Sequence, residues 1–186
     1  MGALSEATAM TAARFLEWTA ASDGRFELEA GAVREMAAEQ ARHARTKFAA
    51  AKALEQGIAT AGLDCEVFPD GMLVVIDDTT VRQPDAAVQC APVADESKVL
   101  DTPVIVVEVS SPSSVSRDET YKLVEYFSLP SVMHYLLLSP DRRIVVHFRR
   151  TAAGGAIETT ILSQGELDLT PPGFRVTVEA LLGAVQ

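Results

Sequence analysis

A single charged residue interrupts an apolar run in the middle of the chain. Residues 104–109 are Val-Ile-Val-Val-Glu-Val, a β-branched run that predicts a strand buried on both faces. Alternation along a strand puts Glu108 on the same face as Val104 and Val106, next to a turn rich in serine and proline. Leaving a buried carboxylate without its partner costs about 3–5 kcal/mol. We therefore expect Glu108 to bind a metal ion, to pair with an arginine such as Arg82, or to reach solvent past the strand end.

A second carboxylate, Asp85, directly follows Pro84 within a predicted strand. Proline removes a ladder donor, so this position is a strand start, an edge or a bulge, where a side chain can be aimed away from the regular ladder. If Asp85 and Glu108 come from neighbouring strands and meet at one end of the sheet, they form an oxygen site that suits Mg²⁺ beside a substrate phosphate. An aspartate after proline is also common as an ordinary turn or cap residue.

Three further side chains are candidates for the same chemistry. Lys122 lies two turns into the helix predicted after Glu108, where an ammonium could stabilise a hydroxide or a phosphate charge. Asp118 stands four residues earlier and would also form an ordinary surface pair with Lys122. Glu27 is another carboxylate between apolar neighbours, and His43 lies on a long helix, where an isolated histidine is usually packed or solvated.

Several catalytic classes are not indicated by the sequence. It has no Gly-rich phosphate loop, no Gly-x-Ser-x-Gly elbow and no cysteine-based metal cluster. His134 and His147 lack a second nitrogen or sulfur ligand at zinc spacing. Cys65 and Cys90 have neither metal nor redox spacing, and we predict that both are reduced and packed.

The net charge of −10 argues against a protein that coats nucleic acid non-specifically. Basic residues nevertheless gather on one predicted helix and near a late hairpin. They are Arg42, Arg45, Lys47 and Lys52 in the first group and Arg142, Arg143, Arg149 and Arg150 in the second. We expect Arg42, His43 and Arg45 to contact nucleic acid, although such charges also occur on ordinary solvated surfaces.

The elements that must position these residues follow from periodicity and turn chemistry. We predict helices over residues 12–19, 39–61, 116–127 and 178–182. We predict strands over residues 25–28, 32–36, 66–68, 72–76, 81–88, 104–109, 133–138, 143–148 and 157–162. Thr11 is a predicted cap, and Ser116 with Glu119 matches a capping box. This order predicts an α/β layered fold with a mixed sheet.

Two local patterns specify more than the presence of an element. Pro69-Asp70-Gly71 predicts a hairpin between the strands on either side of it. In the long helix, Phe48, Ala51, Leu54 and Ile58 have the spacing of a buried face. The length of 186 residues predicts one domain, and the absence of a signal-peptide pattern or a long apolar run predicts a soluble, cytoplasmic protein.

The order of these segments resembles the putative restriction endonuclease family of the PD-(D/E)XK nuclease superfamily. The similar segments, which span about residues 11–150, are Arg25-Phe26-Glu27-Leu28-x-x-Gly31, His43, Arg82-Gln83-Pro84-Asp85, residues 107–113, Asp118 with Lys122, Glu125-Tyr126 and residues 132–140. The chain departs from the simplest superfamily motif at Ser110, where a lysine would be expected, and it has Leu136 where the family commonly shows tryptophan and Met133-His134 in place of a more usual proline and acid.

The resemblance implies a restriction-endonuclease-like core, a mixed central sheet flanked by helices, with residues 151–186 as a C-terminal strand and helix extension. It implies Asp85 and Glu108 as ligands of Mg²⁺ or Mn²⁺, Lys122 as the catalytic lysine and Glu27 as an accessory acid. The backbone carbonyl of Val109 would complete the inner shell.

The expected function is therefore metal-dependent hydrolysis of phosphodiester bonds in DNA by an endonuclease. The alternative is a catalytically silent module that keeps the nuclease fold and binds nucleic acid or protein, which the net acidity favours. A metal-dependent hydrolase of another phosphate ester is a third hypothesis. A homodimer would suit the cutting of two strands, but no sequence feature establishes one.

Overall fold

A computed structural model of the protein describes residues 9–110, 116–151 and 155–184, except for the side chains of residues 116–120. The helices are α1 (Ala12–Ala20), α2 (Ala41–Ala61), α3 (Ser116–Ser128) and α4 (Val178–Leu182). The strands are β1 (Phe26–Glu29), β2 (Ala32–Glu35), β3 (Glu66–Pro69), β4 (Val74–Asp77), β5 (Thr80–Arg82), β6 (Ala86–Gln89), β7 (Ile105–Val109), β8 (His134–Ser139), β9 (Ile144–Arg150), β10 (Ile157–Leu162), β11 (Glu166–Leu169) and β12 (Phe174–Thr177). The capping box predicted at Ser116 and Glu119 and the Asp118 partner predicted for Lys122 lie outside the described side chains.

The main sheet has six strands in the order β10-β9-β8-β7-β6-β3. Strands β7 and β8 are parallel and are joined through α3, whereas the other neighbours are antiparallel. This confirms the predicted α/β class with a mixed central sheet flanked by helices. The apolar run predicted to be a buried strand is β7, and all of its residues are buried. A four-stranded sheet in the order β2-β1-β5-β4 and the pair β11-β12, which was not predicted, complete the fold.

Helices cover both faces of the six-stranded sheet. On one face, Leu54 of α2 belongs to the same buried cluster as Val107 of β7. On the other face, Tyr126 of α3 is buried with Val106 of β7. Because neighbouring residues of a strand point to opposite faces, β7 contributes side chains to both cores. Helix α1, capped by Thr11 as predicted, buries Phe15 with strands of the smaller sheet. No helix among the described residues is long and apolar enough to cross a membrane.

The hairpin predicted around Pro69-Asp70-Gly71 is wrong. Strand β3 pairs with β6 in the six-stranded sheet, whereas β4 pairs with β5 in the four-stranded sheet. The turn residues do change the direction of the chain, but they carry it from one sheet to the other. The strand predicted over residues 81–88 likewise divides at Pro84 into β5 and β6, with one part in each sheet. Turn chemistry predicts where a strand ends, and it does not specify which distant strand becomes its partner.

The predicted buried face of α2 is correct for Leu54 and Ile58 and wrong for its first half. Phe48 is 72% exposed and Ala51 is only partly buried, and the helix buries Lys47 and Ala50 there. These positions keep helical spacing, but their stripe begins with a lysine. A pattern search that expects only apolar residues on a buried face therefore selects the neighbouring phenylalanine.

The prediction of two reduced cysteines is also wrong, because Cys65 and Cys90 form a disulfide. Cys65 directly precedes β3 and Cys90 directly follows β6. The antiparallel register pairs Glu66 with Gln89, and this pairing brings the residues just outside it, Cys65 and Cys90, next to each other. The proximity of the thiols follows from the pairing of β3 with β6, which the sequence pattern does not predict.

Two buried histidines meet where β8 pairs with β9. His134 Nε2 donates to the carbonyl of Pro171 at 2.9 Å, so its Nδ1 accepts from His147 Nε2, also at 2.9 Å. Burial, followed by the charge of its partner ring, lowers the pKa of His134 to about 4. Burial, followed by the charge of Arg149, lowers the pKa of His147 to about 4. The folded protein therefore holds both rings neutral.

The neutral histidine pair predicts that acidification destabilises the fold. Between the ordinary histidine pKa of 6.5 and the folded pKa of about 4, the unfolded chain binds protons that the folded rings do not. The contribution is complete above pH 6.5 and is lost as the pH falls toward 4, by roughly 3 kcal/mol for each ring. Urea denaturation across this range should show a smaller loss for His147→Gln than for the wild type. The same loss in both proteins would contradict the assignment.

Candidate active site

Asp85 is fixed at the point where the chain enters the six-stranded sheet. Its backbone N–H donates to the Val107 carbonyl at 3.0 Å, and its carbonyl accepts from the Asp70 N–H at 3.1 Å. Its carboxylate oxygen Oδ2 accepts from the Val109 N–H at 2.7 Å. Pro84 cannot donate a backbone hydrogen bond, so the regular ladder begins after it. Asp85 is therefore fastened to the end of β7 through both its backbone and its side chain.

Helix α2 brings two basic side chains to the Asp85 carboxylate. Lys47 Nζ lies 3.0 Å from Asp85 Oδ1, and His43 Nε2 lies 3.5 Å from Asp85 Oδ2. His43 Nε2 also donates to the carbonyl of Val109 at 2.7 Å, and Nδ1 on the other side of the ring faces Glu39. Residues four apart share one helix face, so His43 and Lys47 both point to the end of β7.

Lys47 is the centre of a wider group of charges. Its ammonium contacts Asp70 Oδ2 at 2.8 Å and also contacts Glu39. Arg25 binds Glu39 at 2.8 Å and also binds Asp70. Burial opposes the charge on Glu39, but hydrogen bonds from Lys47 and Arg25 lower its pKa to about 2. Burial would lower the pKa of Lys47, and the surrounding carboxylates, Asp70 and Asp85 foremost, raise it instead.

Glu108 faces α3 and is held there by two donors. Lys122 Nζ lies 3.1 Å from Glu108 Oε1, and the Tyr126 hydroxyl donates to the same oxygen at 2.8 Å. Burial raises the pKa of Glu108 to about 7; the ammonium of Lys122 opposes the shift, and the charges of Asp85 and Glu27 add to it. Burial would lower the pKa of Lys122, but the Glu108 and Glu27 charges raise it, so the lysine stays charged.

Glu27 of β1 joins the smaller sheet to the same group. Its Oε1 accepts from the Gln83 N–H at 3.1 Å and lies 3.4 Å from Lys122 Nζ, and its Oε2 accepts from Arg82 at 3.0 Å. Arg82 also binds Glu125 of α3 through Nε at 2.7 Å and Nη2 at 2.9 Å. Burial would raise the pKa of Glu27, but Lys122 and Arg82 lower it. Arg82 therefore ties β5 to the helix that carries Lys122.

The predicted site residues lie at one end of the six-stranded sheet, between α2 and α3. Asp85 binds Val107 through its backbone N–H and Val109 through its carboxylate, so it contacts the residues on either side of Glu108. The Asp85 carboxylate contacts α2 and the Glu108 carboxylate contacts α3. Burial raises the pKa of Glu108, and the negative charge of Asp85 raises it further. Glu108 pairs with Lys122, and Arg82, the partner considered from the sequence, pairs with Glu27 and Glu125 instead.

The charges of this site do not balance. Each half has three carboxylates and two cations, and each therefore keeps one net negative charge when Glu108 is ionised and His43 is neutral. The half on α2 consists of Glu39, Asp70 and Asp85 with Arg25 and Lys47, and the half on α3 consists of Glu27, Glu108 and Glu125 with Arg82 and Lys122. The sum of two negative charges matches one divalent cation.

The donor set fits a metal ion. Among the described residues, Glu39, His43 and Asp85 form a group whose ligand atoms lie within 4.8 Å of one another. His43 Nδ1 is buried, has no hydrogen-bond partner, and lies 3.4 Å from Glu39 Oε2. A buried nitrogen lone pair beside a carboxylate is a position that a cation would stabilise. The Val109 carbonyl adds an oxygen beside Asp85, whereas Glu108 lies outside this group of three.

Sequence reasoning missed Lys47, Glu39, Asp70 and Tyr126. Lys47 was grouped only with the other basic residues of α2, although its spacing to Ala50 and Leu54 is that of the buried stripe. That spacing is the signal that could have identified it. Ser110, which stands where the simplest motif has a lysine, instead uses both its N–H and its hydroxyl to bind the Leu138 carbonyl, at 2.8 and 3.2 Å.

The predicted nucleic-acid contacts divide between two places. His43 touches the acidic site, as described above. Arg42 forms an ion pair with Asp141 in the turn after β8, and Arg45 is exposed one helical turn further along α2. These two arginines line a separate cavity beside the site.

The whole arrangement can be compared with known proteins. The family model named Uma2, described as "Putative restriction endonuclease", matches residues 12–182. The chain belongs to the Uma2 family. The matched range runs from α1 to α4 and so includes every element that builds the Uma2 site described here. Among curated protein sequences, none matches this chain.

A solved structure shows the same fold. It is the crystal structure of a putative nuclease belonging to DUF820 from Anabaena variabilis, with a TM-score of 0.70 and 15% sequence identity. The similarity covers 93% of this Uma2 chain and 97% of that chain. At this identity the likeness is one of fold, and it agrees with a nuclease-like architecture for the Uma2 protein.

The buried Arg82 should be essential for the stability of the site. Arg82→Met would leave Glu27 and Glu125 without their shared cation, and we expect a loss of about 3–5 kcal/mol in the free energy of unfolding. Arg149→Met is the matched control, because its pair with Glu158 is exposed, with side-chain exposures of 41% and 55%. The control should lose no more than about 1 kcal/mol in urea denaturation. Equal losses would show that the Arg82 network does not stabilise the fold.

Proposed function

We propose that this protein is a metal-dependent endonuclease that hydrolyses phosphodiester bonds in DNA. The observation that supports the proposal is the attachment of Asp85 to Val107 and Val109, on either side of Glu108, with Lys122 Nζ 3.1 Å from Glu108. Two buried carboxylates with a buried lysine, in a site with a surplus of negative charge, have the composition of a divalent-cation site for phosphoryl chemistry.

Asp85, Glu108 and the carbonyl of Val109 would hold the cation, Mg²⁺ or Mn²⁺, and His43 is placed to add a nitrogen ligand. When bound, the cation would act as a Lewis acid on the scissile phosphate and lower the pKa of an attacking water. The Val109 N–H holds Asp85 Oδ2 at 2.7 Å, and Lys47 would have to move away from Oδ1 for that oxygen to bind the cation. His43 Nε2, which donates to the Val109 carbonyl at 2.7 Å, would have to release that oxygen for it to serve as a ligand.

Lys122 would supply positive charge and a hydrogen-bond donor. Its ammonium lies between Glu108 at 3.1 Å and Glu27 at 3.4 Å, so it can turn from Glu108 toward the reacting phosphate while Glu27 still holds it. A positioned ammonium stabilises the charge that develops on phosphate oxygens. Glu27 therefore acts as a positioning residue for Lys122, and Tyr126 holds Glu108 through its hydroxyl.

One observation favours a catalytically silent nuclease-fold module instead. Lys47 and Lys122 already pair with Asp85 and Glu108, at 3.0 and 3.1 Å. If these pairs never open, the carboxylates remain neutralised by the chain itself, and no cation is needed. Such a module would bind its partner without cleaving it, and cleavage assays distinguish the two functions.

Isosteric variants test the proposal because they remove the charge of a side chain and keep its size. Asp85→Asn and Glu108→Gln should each reduce Mg²⁺- or Mn²⁺-dependent cleavage of DNA by at least about 100-fold, because each removes a charged ligand oxygen. Cleavage of supercoiled, linear and single-stranded DNA, with RNA in parallel, measures the effect. Glu29→Gln is the matched control, since Glu29 lies on the same strand as Glu27 but forms only an exposed pair with Arg34. Equal cleavage by wild type and both site variants would reject this assignment.

A further inference from the structure

A cavity lined by several arginines lies beside the candidate active site. It has a volume of about 520 Å³ and opens between the first half of α2, the turn after β8 and the segment that follows α4. Arg42, Arg45 and Arg143 line it, together with one acidic residue, Asp141. In a chain with a net charge of −10, three arginines around one cavity form a local excess of positive charge. Such a cavity attracts an anion.

The cavity and the active site are neighbours because of α2 and the parallel strands. Strands β7 and β8 run in the same direction, with Val109 paired to Leu138, so both end at the same edge of the sheet. On α2, His43 binds the end of β7 through the Val109 carbonyl, and the preceding residue, Arg42, binds Asp141 beyond the end of β8. The cavity and the acidic group therefore lie at the same edge of the sheet and use neighbouring residues of α2, Arg42 and His43.

The three arginines are available to an anion to different degrees. Arg45 is exposed and has no ion-pair partner among the described residues. Arg143 Nη1 donates to the Gly183 carbonyl at 2.9 Å, and no carboxylate among the described residues forms an ion pair with Arg143. Arg42 pairs with Asp141, and the side-chain exposures of 66% and 35% leave this pair open to exchange with another anion.

The backbone at Arg143 supports a role for this side chain. Its φ is +54°, in the left-handed region that glycine or asparagine adopts more readily. Holding another residue there costs of order 1 kcal/mol. The turn keeps an arginine at a position where glycine would fit without strain.

We propose that this cavity is a phosphate subsite that holds a phosphate of the substrate strand next to the one that is cleaved. This rests on the proposed nuclease function. Guanidinium groups bind phosphate oxygens through paired N–H donors, which suits Arg42, Arg45 and Arg143. Asp141 occupies the place of the phosphate on Arg42 and is displaced when the strand binds. The bound phosphate is either internal to a strand or the terminal 5′-phosphate of a DNA end.

Binding measurements test the subsite independently of cleavage. The full-length protein is titrated into fluorescently labelled 20-mer duplexes, in Ca²⁺ and separately in EDTA, and anisotropy is followed over a range of salt concentrations. Arg45→Gln should weaken binding about 5- to 10-fold near 0.1 M salt and lower the salt slope by about 1, because one phosphate contact is lost. Asp141→Asn should strengthen binding, since it frees Arg42 and removes a repulsive charge.

Two comparisons define the control and the source of the phosphate. Arg34→Gln removes another exposed arginine, on β2 and outside the cavity, and should leave binding within about twofold of wild type, because only the general charge changes. Oligonucleotides with and without a 5′-phosphate distinguish the ligands: a terminal subsite loses its Arg45 effect without that phosphate, whereas an internal subsite keeps it.

The outcomes separate this inference from the nuclease function. Unchanged affinity and salt slope for both Arg45→Gln and Asp141→Asn would overturn the subsite, even if Asp85→Asn abolishes cleavage. The expected effects on binding in a wild-type protein that never cleaves would support the subsite and overturn the nuclease function. If the wild type binds none of the duplexes in either buffer, both are rejected.

Discussion

The antiparallel register between β6 and β7 is the constraint on which the rest of the site depends. Asp85 is bound to β7 by its backbone N–H, at 3.0 Å from the Val107 carbonyl, and by its carboxylate, at 2.7 Å from the Val109 N–H. Pro84 lies just before Asp85, in the short segment where the chain passes from β5 in the four-stranded sheet to β6 in the six-stranded sheet. Glu108 lies between Val107 and Val109 on β7 and is therefore adjacent to both of these contacts. Helices α2 and α3 then close on this pair from the two faces of the sheet.

The lysines on those helices explain how so much charge is buried in a small protein. Lys47 and Lys122 have side-chain exposures of 6% and 13%, and each contacts at least one of the two strand-end carboxylates. Removing a partner from a buried pair is costly, so the lysines stabilise the fold in the absence of a cation. The same pairs must loosen when a cation binds. The lysine pairs thus stabilise the empty site, and the one negative charge left over in each half can still attract a divalent ion.

The sequence identified residues whose chemical type is unusual for their surroundings, but it did not predict which distant strands pair. Glu108 in an apolar strand and Asp85 after a proline were both visible, and the late hairpin near Arg142 and Arg143 was predicted correctly as the pair now seen in β8 and β9. The pairing of β3 with β6 was not, because Pro69-Asp70-Gly71 satisfies a hairpin turn and a crossing between sheets equally well. Lys47 was missed for a related reason, since a buried lysine is favourable only when three distant carboxylates surround it.

The central claim is that Asp85 and Glu108 share one divalent cation at the end of β7. The measurement that tests it most directly is the anomalous scattering of Mn²⁺ in crystals of the protein soaked with the ion. The account predicts a single strong peak in contact with carboxylate oxygens of both residues, with the Lys122 ammonium moved away from Glu108. An empty site at full Mn²⁺ occupancy elsewhere, or a peak bound only by Glu39, His43 and Asp85 while Glu108 keeps its lysine, would contradict it.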